Sequence, residues 1–413
     1  RDSILGRCPD DWDITTSASP EQVKALFRRT VDTGLQHGTV TVLIEKEGFE
    51  VTTYRVDGDY EDGRHPKEVR FTSNLKEDLK RRDFTINAMA YHPERGLVDL
   101  FGGVNDMEKK VIRCVGDPME RFQEDALRIL RAVRFSAQLG FTIEASTKEA
   151  IGALAPNLKL VSAERIQVEL VKLLVSPNPD YLRVAYETGG TAEFLPEFDV
   201  CMKTDQNTPH HCYTVGEHIL KSLLHVRADK VLRLTMLLHD IGKPVVKITD
   251  ENGRDHFKMH GPESEQMAKV ILRRLKFDND TIHKVCRLVK WHDARPAAQM
   301  PNVRRSVNKI GEDIFPLYLE IQRADMLAQS TYQRREKEER LEGVKSCYEQ
   351  IVEKKQCVSL KSLAVTGRDL IQAGYKPGPY LGEILNQLLE HVLEYPEDNQ
   401  KETLMQLVKE NQD

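Results

Sequence analysis

The sequence predicts an α+β protein, a small mixed α/β unit followed by an almost wholly helical remainder, and three observations predict it. Up to about residue 100, β-rich runs such as "GTVTVLIE" (38–45) and "FEVTTYRV" (49–56) alternate with turn signals such as "EKEG" and "VDGDYEDG". From "EDALRILRAVRF" (124–135) onward, apolar residues recur at helical spacing, as in "AERIQVELVKLLV" (163–175) and "EHILKSLLHV" (217–226). Proline-containing breaks at "VSPNPD" (175–180), "LPEFD" (195–199) and "ARPAAQMP" (294–301) mark joints, and "YQRREKEERLEG" (332–343) reads as a solvated helix.

A chain of 413 residues carries a prior of about two to four domains. Its 40% hydrophobic and 30% charged residues are ordinary globular composition. No apolar run approaches the ~18 residues of a membrane span, and no signal or transit peptide is evident. The seven cysteines, scattered without a CxxC pair, read as reduced thiols, so the expected compartment is the cytoplasm. A net charge of −5 excludes a chain that is basic throughout but leaves room for a local basic face that binds nucleic acid.

In "RCPDDWDITTSASP" (7–20), Asp11 and Asp13 flank Trp12. In a strand, residues two apart project from one face, so the two carboxylates would converge on a divalent cation while Trp12 faces away. Mg²⁺ prefers oxygen ligands and shares its shell with substrate phosphates. Glu50, in "FEVTTYR", is placed to supply a third acid from a neighbouring strand. An isolated DxD fits a polar turn that caps a helix better than a metal site, so its surroundings decide.

In "KRRDFTINAMAY" (80–91), Arg81 and Arg82 offer forked donors for phosphate oxygens, and Asp83 with Asn87 could meet ribose hydroxyls from successive turns of one helix. A charged helix start capped by Asp83 is the plainer reading, though it leaves the paired arginines unexplained. Asp125 and Arg128, three apart, are expected on one helical face, with Glu124 able to brace Arg128. Cytosine and adenine both present an amino donor beside an unprotonated ring nitrogen. A carboxylate beside a guanidinium therefore selects the two together and rejects guanine and uracil by leaving buried polar groups unpaired. An ordinary surface ion pair, contributing about 0.3–0.5 kcal/mol, has the same spacing.

These stretches together resemble the class II tRNA nucleotidyltransferases, the bacterial CCA-adding family. "RDSILGRCPDDWDITTSA" is similar to the family's metal motif, "EVTTYRVDGDYEDGRHPKEVRF" to its flexible loop, "DLKRRDFTINAMAY" to its ribose motif and "EDALRILRAVRF" to its nucleotide-templating helix. The resemblance implies Asp11 and Asp13 as Mg²⁺ ligands and Glu50 as third carboxylate. It implies Arg1, Arg82, Asp83, Asn87 and Arg131 as nucleotide contacts and Asp125 with Arg128 as the base-reading pair. In "VSAERIQVEL" (161–170), Arg165 and Glu169 would brace the neck helices. The family's Gly-Gly-x-x-Arg-Asp element is represented by Arg1 and Asp2 alone, and the expectation is of a longer natural chain that carries the glycines.

The activity implied is template-independent addition of CMP and AMP, from CTP and ATP, to the tRNA 3′ end. The presence of "DGDYEDGRHP" (57–66) favours complete CCA addition or A addition over CC addition. An A-adding or polyadenylating relative is the alternative of the same class. A hydrolase that only grips tRNA through its head is the alternative of another.

"TVGEHIL", "LLHDIGKP", "FKMHGPE", "VKWHD" and "QRADMLAQ" carry His218, His239, Asp240, His260, His292 and Asp325 in the order of the HD superfamily. That resemblance implies a divalent transition metal whose bound water attacks phosphate esters at tRNA ends. "PHHCY" (209–213) reads as loop. The expected organisation is a nucleotidyltransferase head (1–115), a helical neck (116–195), an HD domain (196–335) and a helical tail (336–413) in which Lys361, Arg368 and Lys376 face RNA phosphates.

Overall fold

A computed structural model describes residues 1–9, 12–58 and 69–410. The chain divides into two compact units, Arg1–Asp199 with Arg274–Lys276, and Val200–Arg273 with Phe277–Asp413. Among the described residues, the first opens with a four-stranded mixed sheet and continues with three two-stranded ribbons and helices; the second is built of helices and one two-stranded ribbon.

Strands β1 (Ile14–Thr16), β2 (Thr30–Gly34), β3 (Thr39–Ile44) and β4 (Glu47–Thr53) lie in the order β1-β4-β3-β2. β1 runs parallel to β4, and the other two pairings are antiparallel. The alternation in "TVTVLI" sends Val40 and Val42 to one face, where Val51 and Val23 join them in a small apolar cluster. Val23 belongs to the helix Pro20–Leu26, which starts where Ser19 and Gln22 form a capping box and Pro20 presets the first turn.

Two expected helices differ. In 80–91, helix Leu75–Lys80 ends before the ribose-motif residues, and a 3-10 turn, Thr85–Asn87, follows. Phe84, between the two, is extended (φ −127°, ψ 149°) and bridges Cys114, with Thr85 N–H donating to Arg113 O (3.0 Å) and Val115 N–H to Asp83 O (3.1 Å). Non-local pairing has overridden local periodicity there. "EDALRILRAVRF" is likewise split into helices Pro118–Glu124 and Leu127–Leu139. At the break Asp125 is extended (φ −148°, ψ 104°), and its carboxylate accepts from Leu127 N–H at 3.1 Å. Helix Leu127–Leu139 buries Ile129, Leu130, Val133 and Phe135, and helix Ala163–Leu174 packs against it.

Helix Ala145–Leu154 is capped by Glu144, whose carboxylate accepts from Thr147 N–H (2.8 Å), Ser146 Oγ (2.7 Å) and Thr147 Oγ1 (3.0 Å). Burial acts to raise its pKa, but these hydrogen bonds outweigh it and bring the group from 4.5 down to about 2. A depressed carboxylate stabilises the fold above its unfolded pKa, and that contribution is lost as pH falls through the folded value. Glu144→Gln is therefore expected to cost about 1 kcal/mol at neutral pH. The difference in urea midpoint from the parent should shrink as pH drops below 4.5.

In the second unit, helices Val215–Leu223, Lys230–Leu238, Asn279–Trp291 and Phe315–Ala328 share a core that includes Ile219, Leu234, Val285, Phe315 and Ile321. The break at 294–301 separates helices Asn279–Trp291 and Met300–Ile310 within this unit. The charged run becomes helix Arg334–Glu353, largely exposed as expected except for Lys337, Val344 and Ile351. Among the described residues, no helix is long and apolar enough to cross a membrane.

Candidate nucleotidyl-transfer and metal sites

Asp13 is exposed and sits one residue ahead of β1, just before the strand. β1 pairs with β4 in the register Ile14↔Val51. Continued back one residue, that register sets Asp13 beside Glu50, which is also exposed, on one side of the sheet. Asp11 and residues 59–66 of the loop lie outside the described residues.

The structure links Arg1, Asn87, Asp83 and Arg131. Arg1 Nη1 donates to Asn87 Oδ1 (3.0 Å), and Asn87 Nδ2 donates to Asp83 Oδ1 (3.2 Å). Arg131 forks onto Asp83 Oδ2 through Nη2 (2.6 Å) and Nε (2.8 Å). Burial acts to raise the Asp83 pKa, but the Arg131 guanidinium and the hydrogen bonds hold it below the usual range. Asp83 is therefore an ionised, fixed acceptor that orients its neighbours.

Arg81 and Arg82 are not free forks. Both reach the fully buried Asp78, at 2.8 and 3.4 Å, because that carboxylate has been taken out of water and must be paired. Arg82 Nε is buried without a partner among the described residues. Sequence reading passed over Asp78; the only signal was an acid at i−3 and i−4 to the two arginines.

Asp125 and Arg128 do not form a pair on one helix face. The helix break turns Asp125 toward Arg165, at 2.7 and 3.2 Å. Arg128 bonds Glu124 at 2.5 Å and the carbonyls of Arg121 (3.2 Å) and Arg81 (3.0 Å). Glu169 meets Arg134 in the interior between the two packed helices. Asp125 and Arg128 remain neighbours through Arg128 N–H donating to Asp125 O at 3.0 Å.

In the second unit the six His and Asp residues converge. His218 lies in helix Val215–Leu223, His239 and His292 end helices Lys230–Leu238 and Asn279–Trp291, His260 begins helix His260–Arg274, and Asp325 lies in helix Phe315–Ala328. Each Nδ1 faces a carbonyl oxygen: Ala328 for His218 (3.3 Å), Met236 for His239 (2.7 Å), Phe257 for His260 (2.8 Å) and Val289 for His292 (2.7 Å). A carbonyl only accepts, so each Nδ1 carries the proton, and it is Nε2, the lone-pair position of the neutral ring, that each histidine turns inward.

Those lone pairs meet in two sets. His218 and His239 Nε2 are 3.2 Å apart, with Asp240 Oδ2 at 3.5 and 3.2 Å. His260 and His292 Nε2 are 3.1 Å apart, with Asp240 Oδ1 at 3.5 and 3.4 Å. Imidazole and carboxylate atoms gathered this closely fit divalent metals: His218, His239 and Asp240 would hold one ion, and His260, His292 and Asp240 another. Asp325 Oδ1 stands 2.9 Å from His218 Nε2 and completes the first set. Burial keeps His239 low, and burial followed by the His292 charge takes His260 down to about 4, so both rings are neutral donors at physiological pH. Burial also opposes the charge on His292, but Asp240 outweighs it and raises that group.

A cavity of about 300 Å³ opens on this centre, lined among others by His210, His211, Lys243, Arg254 and Arg295. Lys243 Nζ is 2.7 Å from Asp240 Oδ2. "PHHCY" is loop as expected, yet it delivers His211, whose ring lies 4.9 Å from that of His218. Burial, then the Lys243 charge, hold His211 down to about 2. Sequence spacing missed His211 because a loop imposes no periodicity on its side chains.

Comparison with known proteins was consistent along the chain. A model of the Poly A polymerase head domain matches residues 1–113, one of an RNA- and SrmB-binding region of polymerase A matches 140–202, and one of tRNA nucleotidyltransferase domain 2 matches 259–408. The CCA-adding enzyme of Levilactobacillus brevis is 38% identical over 99% of this chain and 91% of its own length. That of Enterococcus faecalis is 33% identical over 99% and 89%. The crystal structure of the Bacillus stearothermophilus CCA-adding enzyme in complex with CTP is similar at 29% identity with a TM-score of 0.69, covering 100% of this chain and 91% of that one. With more than nine-tenths of its length in register with such relatives, this chain belongs to the family of CCA-adding enzymes.

Proposed function

We propose that this protein adds CMP and AMP, from CTP and ATP, to the 3′ end of tRNA without a nucleic-acid template, in the cytoplasm. The observation that carries the reading is the β1–β4 register, which sets Asp13 beside Glu50 within the segment matching the Poly A polymerase head domain. Asp13 and Glu50, with Asp11, would hold Mg²⁺, which when bound supplies electrostatic stabilisation of charge at the transferring phosphate. The tRNA 3′-oxygen attacks the α-phosphorus, the bond to the β-phosphate oxygen breaks, and pyrophosphate leaves. Arg1 and Arg131, directed by Asn87 and Asp83, and Arg82, held by Asp78, would meet the triphosphate and ribose. Asp125 and Arg128 read the base edge, each braced by its own partner, Arg165 and Glu124. We assign this work to a head (1–115) and neck (116–195), and tRNA contacts to a tail (336–413) bearing Lys361, Arg368 and Lys376.

Incubation with tRNA lacking its CCA end, Mg²⁺ and each labelled nucleotide tests the reading. Incorporation of CTP and then ATP supports it, whereas ATP alone on a CC-ended tRNA supports an A-adding enzyme. Arg128→Ala should reduce discrimination against GTP and UTP by about 10- to 100-fold, the value of one or two polar contacts. Unchanged nucleotide choice would remove Arg128 from the base-reading role.

A second activity rests on the two His sets around Asp240. We propose an HD-type hydrolysis of 2′,3′-cyclic or terminal phosphates at tRNA ends, in residues 196–335, with a divalent transition metal. The metal supplies Lewis acidity and a water of lowered pKa. Water oxygen bonds to phosphorus, one ester P–O bond breaks, and the water proton passes to the leaving ribose oxygen. Ring opening of a cyclic phosphate, and phosphate release from a terminal monoester, should both disappear in His239→Ala while CTP incorporation persists.

A further inference from the structure

Beside the metal-ligand cavity runs a second, narrow cleft that shares Arg295, Asp325 and Gln329 with it and adds Lys337 and Arg340. Its interior, about 10 Å³, takes no more than one water, so a larger group would rest at its mouth. Lys337 is 6% exposed on helix Arg334–Glu353, whose other buried residues are the apolar Val344 and Ile351. Among the described residues it has no carboxylate partner: its Nζ donates to Gln329 Oε1 at 2.8 Å. Lysine only donates, so the Gln329 amide orientation is set, and its Nε2 donates to Asp325 Oδ2 at 2.9 Å. The lysine charge is thus held at the cleft without being neutralised there.

Its neighbours add to the imbalance. Arg340 has no carboxylate partner among the described residues, and Arg295 has Asp293 at 2.9 Å. Burial and then Arg295 depress both Lys337 and Arg340. The charges of Lys337, Arg295 and Arg254 reach His210 on the cavity wall, where burial is the larger influence. Three cations gathered at a cleft against two acids, Asp293 and Asp325, leave an excess of positive charge that an anion of matching geometry relieves.

We propose that Arg295, Lys337 and Arg340 form a phosphate subsite beside the His/Asp centre that holds the phosphodiester preceding the terminal phosphate of an RNA 3′ end. The proposal rests on the hydrolase reading above and names the substrate feature that site selects. A phosphate one nucleoside away from the reacting one is present in an RNA end and in a 5′-phosphorylated nucleotide, but absent from a simple cyclic nucleotide.

The test compares three probes on the full chain loaded with Ni²⁺, Co²⁺ or Mn²⁺: adenosine 2′,3′-cyclic phosphate, its 5′-phosphorylated form, and a dinucleotide ending in the same cyclic phosphate. The 5′-phosphate and the dinucleotide should each raise kcat/KM by about tenfold or more over the first probe, the scale of a charge-assisted contact. In Arg340→Gln, and further in Lys337→Met/Arg340→Gln, that ratio should fall toward one. Arg340→Gln keeps the test clean, because Arg340 does not touch the Gln329–Asp325 pair. A ratio near one in the parent chain, or one untouched by the double substitution, overturns the subsite. A gain from the 5′-phosphate with none from the dinucleotide overturns the assignment to an RNA end.

Should no probe be hydrolysed with any metal, the hydrolase reading fails and the subsite is judged separately. Calorimetric titration with adenosine 2′,5′-bisphosphate should then show about tenfold weaker binding to the double variant than to the parent chain. Equal binding would overturn it.

Discussion

Replacing Asp13 by asparagine is expected to abolish nucleotide addition, by about a thousandfold or more, which corresponds to about 4 kcal/mol in the barrier. The amide keeps the shape and removes the charge, so the loss reports on what the carboxylate holds. Asp13 is exposed and stands ahead of a three-residue strand rather than in a packed interior, so thermal stability should be essentially unchanged. The β1–β4 register predicts that Glu50→Gln acts on the same function. If Asp13 and Glu50 serve one ion, the double variant should cost much less than the product of the two single losses. Incorporation of labelled CTP under single-turnover conditions measures this. Retention of more than about a tenth of the activity in Asp13→Asn, a barrier change under about 1.4 kcal/mol, would place the metal elsewhere. Phosphate release by the second unit should be untouched, which separates a local chemical loss from misfolding.

The second large effect concerns Asp240. Its two oxygens face different histidine pairs, Oδ2 toward His218 and His239 and Oδ1 toward His260 and His292. Asp240→Asn should therefore weaken both metal equivalents together, each by more than about 100-fold, the upper range for changing a group that merely supports a ligand. His260→Ala should weaken one equivalent and leave the other. Calorimetric titration of the metal-free chain with Ni²⁺ or Mn²⁺ distinguishes these cases, and loss of a single equivalent in Asp240→Asn would show that the carboxylate does not bridge. Asp240 is fully buried, which acts to raise its pKa, but His239 and then Lys243 beside it hold it well below the usual carboxylate range. Removing one partner leaves the lysine uncompensated, so a melting curve must accompany the titration. Nucleotide addition should persist in both variants.

What was legible in the sequence follows from how local each feature is. The sheet could be read because alternation in "TVTVLI" is a property of a single strand, and Val40 and Val42 face inward as that alternation requires. Helix Ala163–Leu174 could be read from its own apolar spacing. The break at Asp125 could not, since the helical period continues through it; the pairing with Arg165, forty residues on, accompanies it. Phe84 is extended because Cys114 bridges to it from thirty residues on, which local periodicity does not encode.

The sequence by itself determined the class of architecture, the order of the motifs, and the residue types from which two phosphate-directed sites can be built. Periodicity and chemical type are carried by each stretch alone. Tertiary structure alone decided which charge meets which. It tied Arg81 and Arg82 to Asp78, turned Asp125 from Arg128 toward Arg165, set Asp240 between two histidine pairs, and seated the buried Lys337 on the Gln329 amide. The reason is physical: a charge taken out of water must be paired with whatever the packed fold brings within reach, and that partner lies anywhere along the chain.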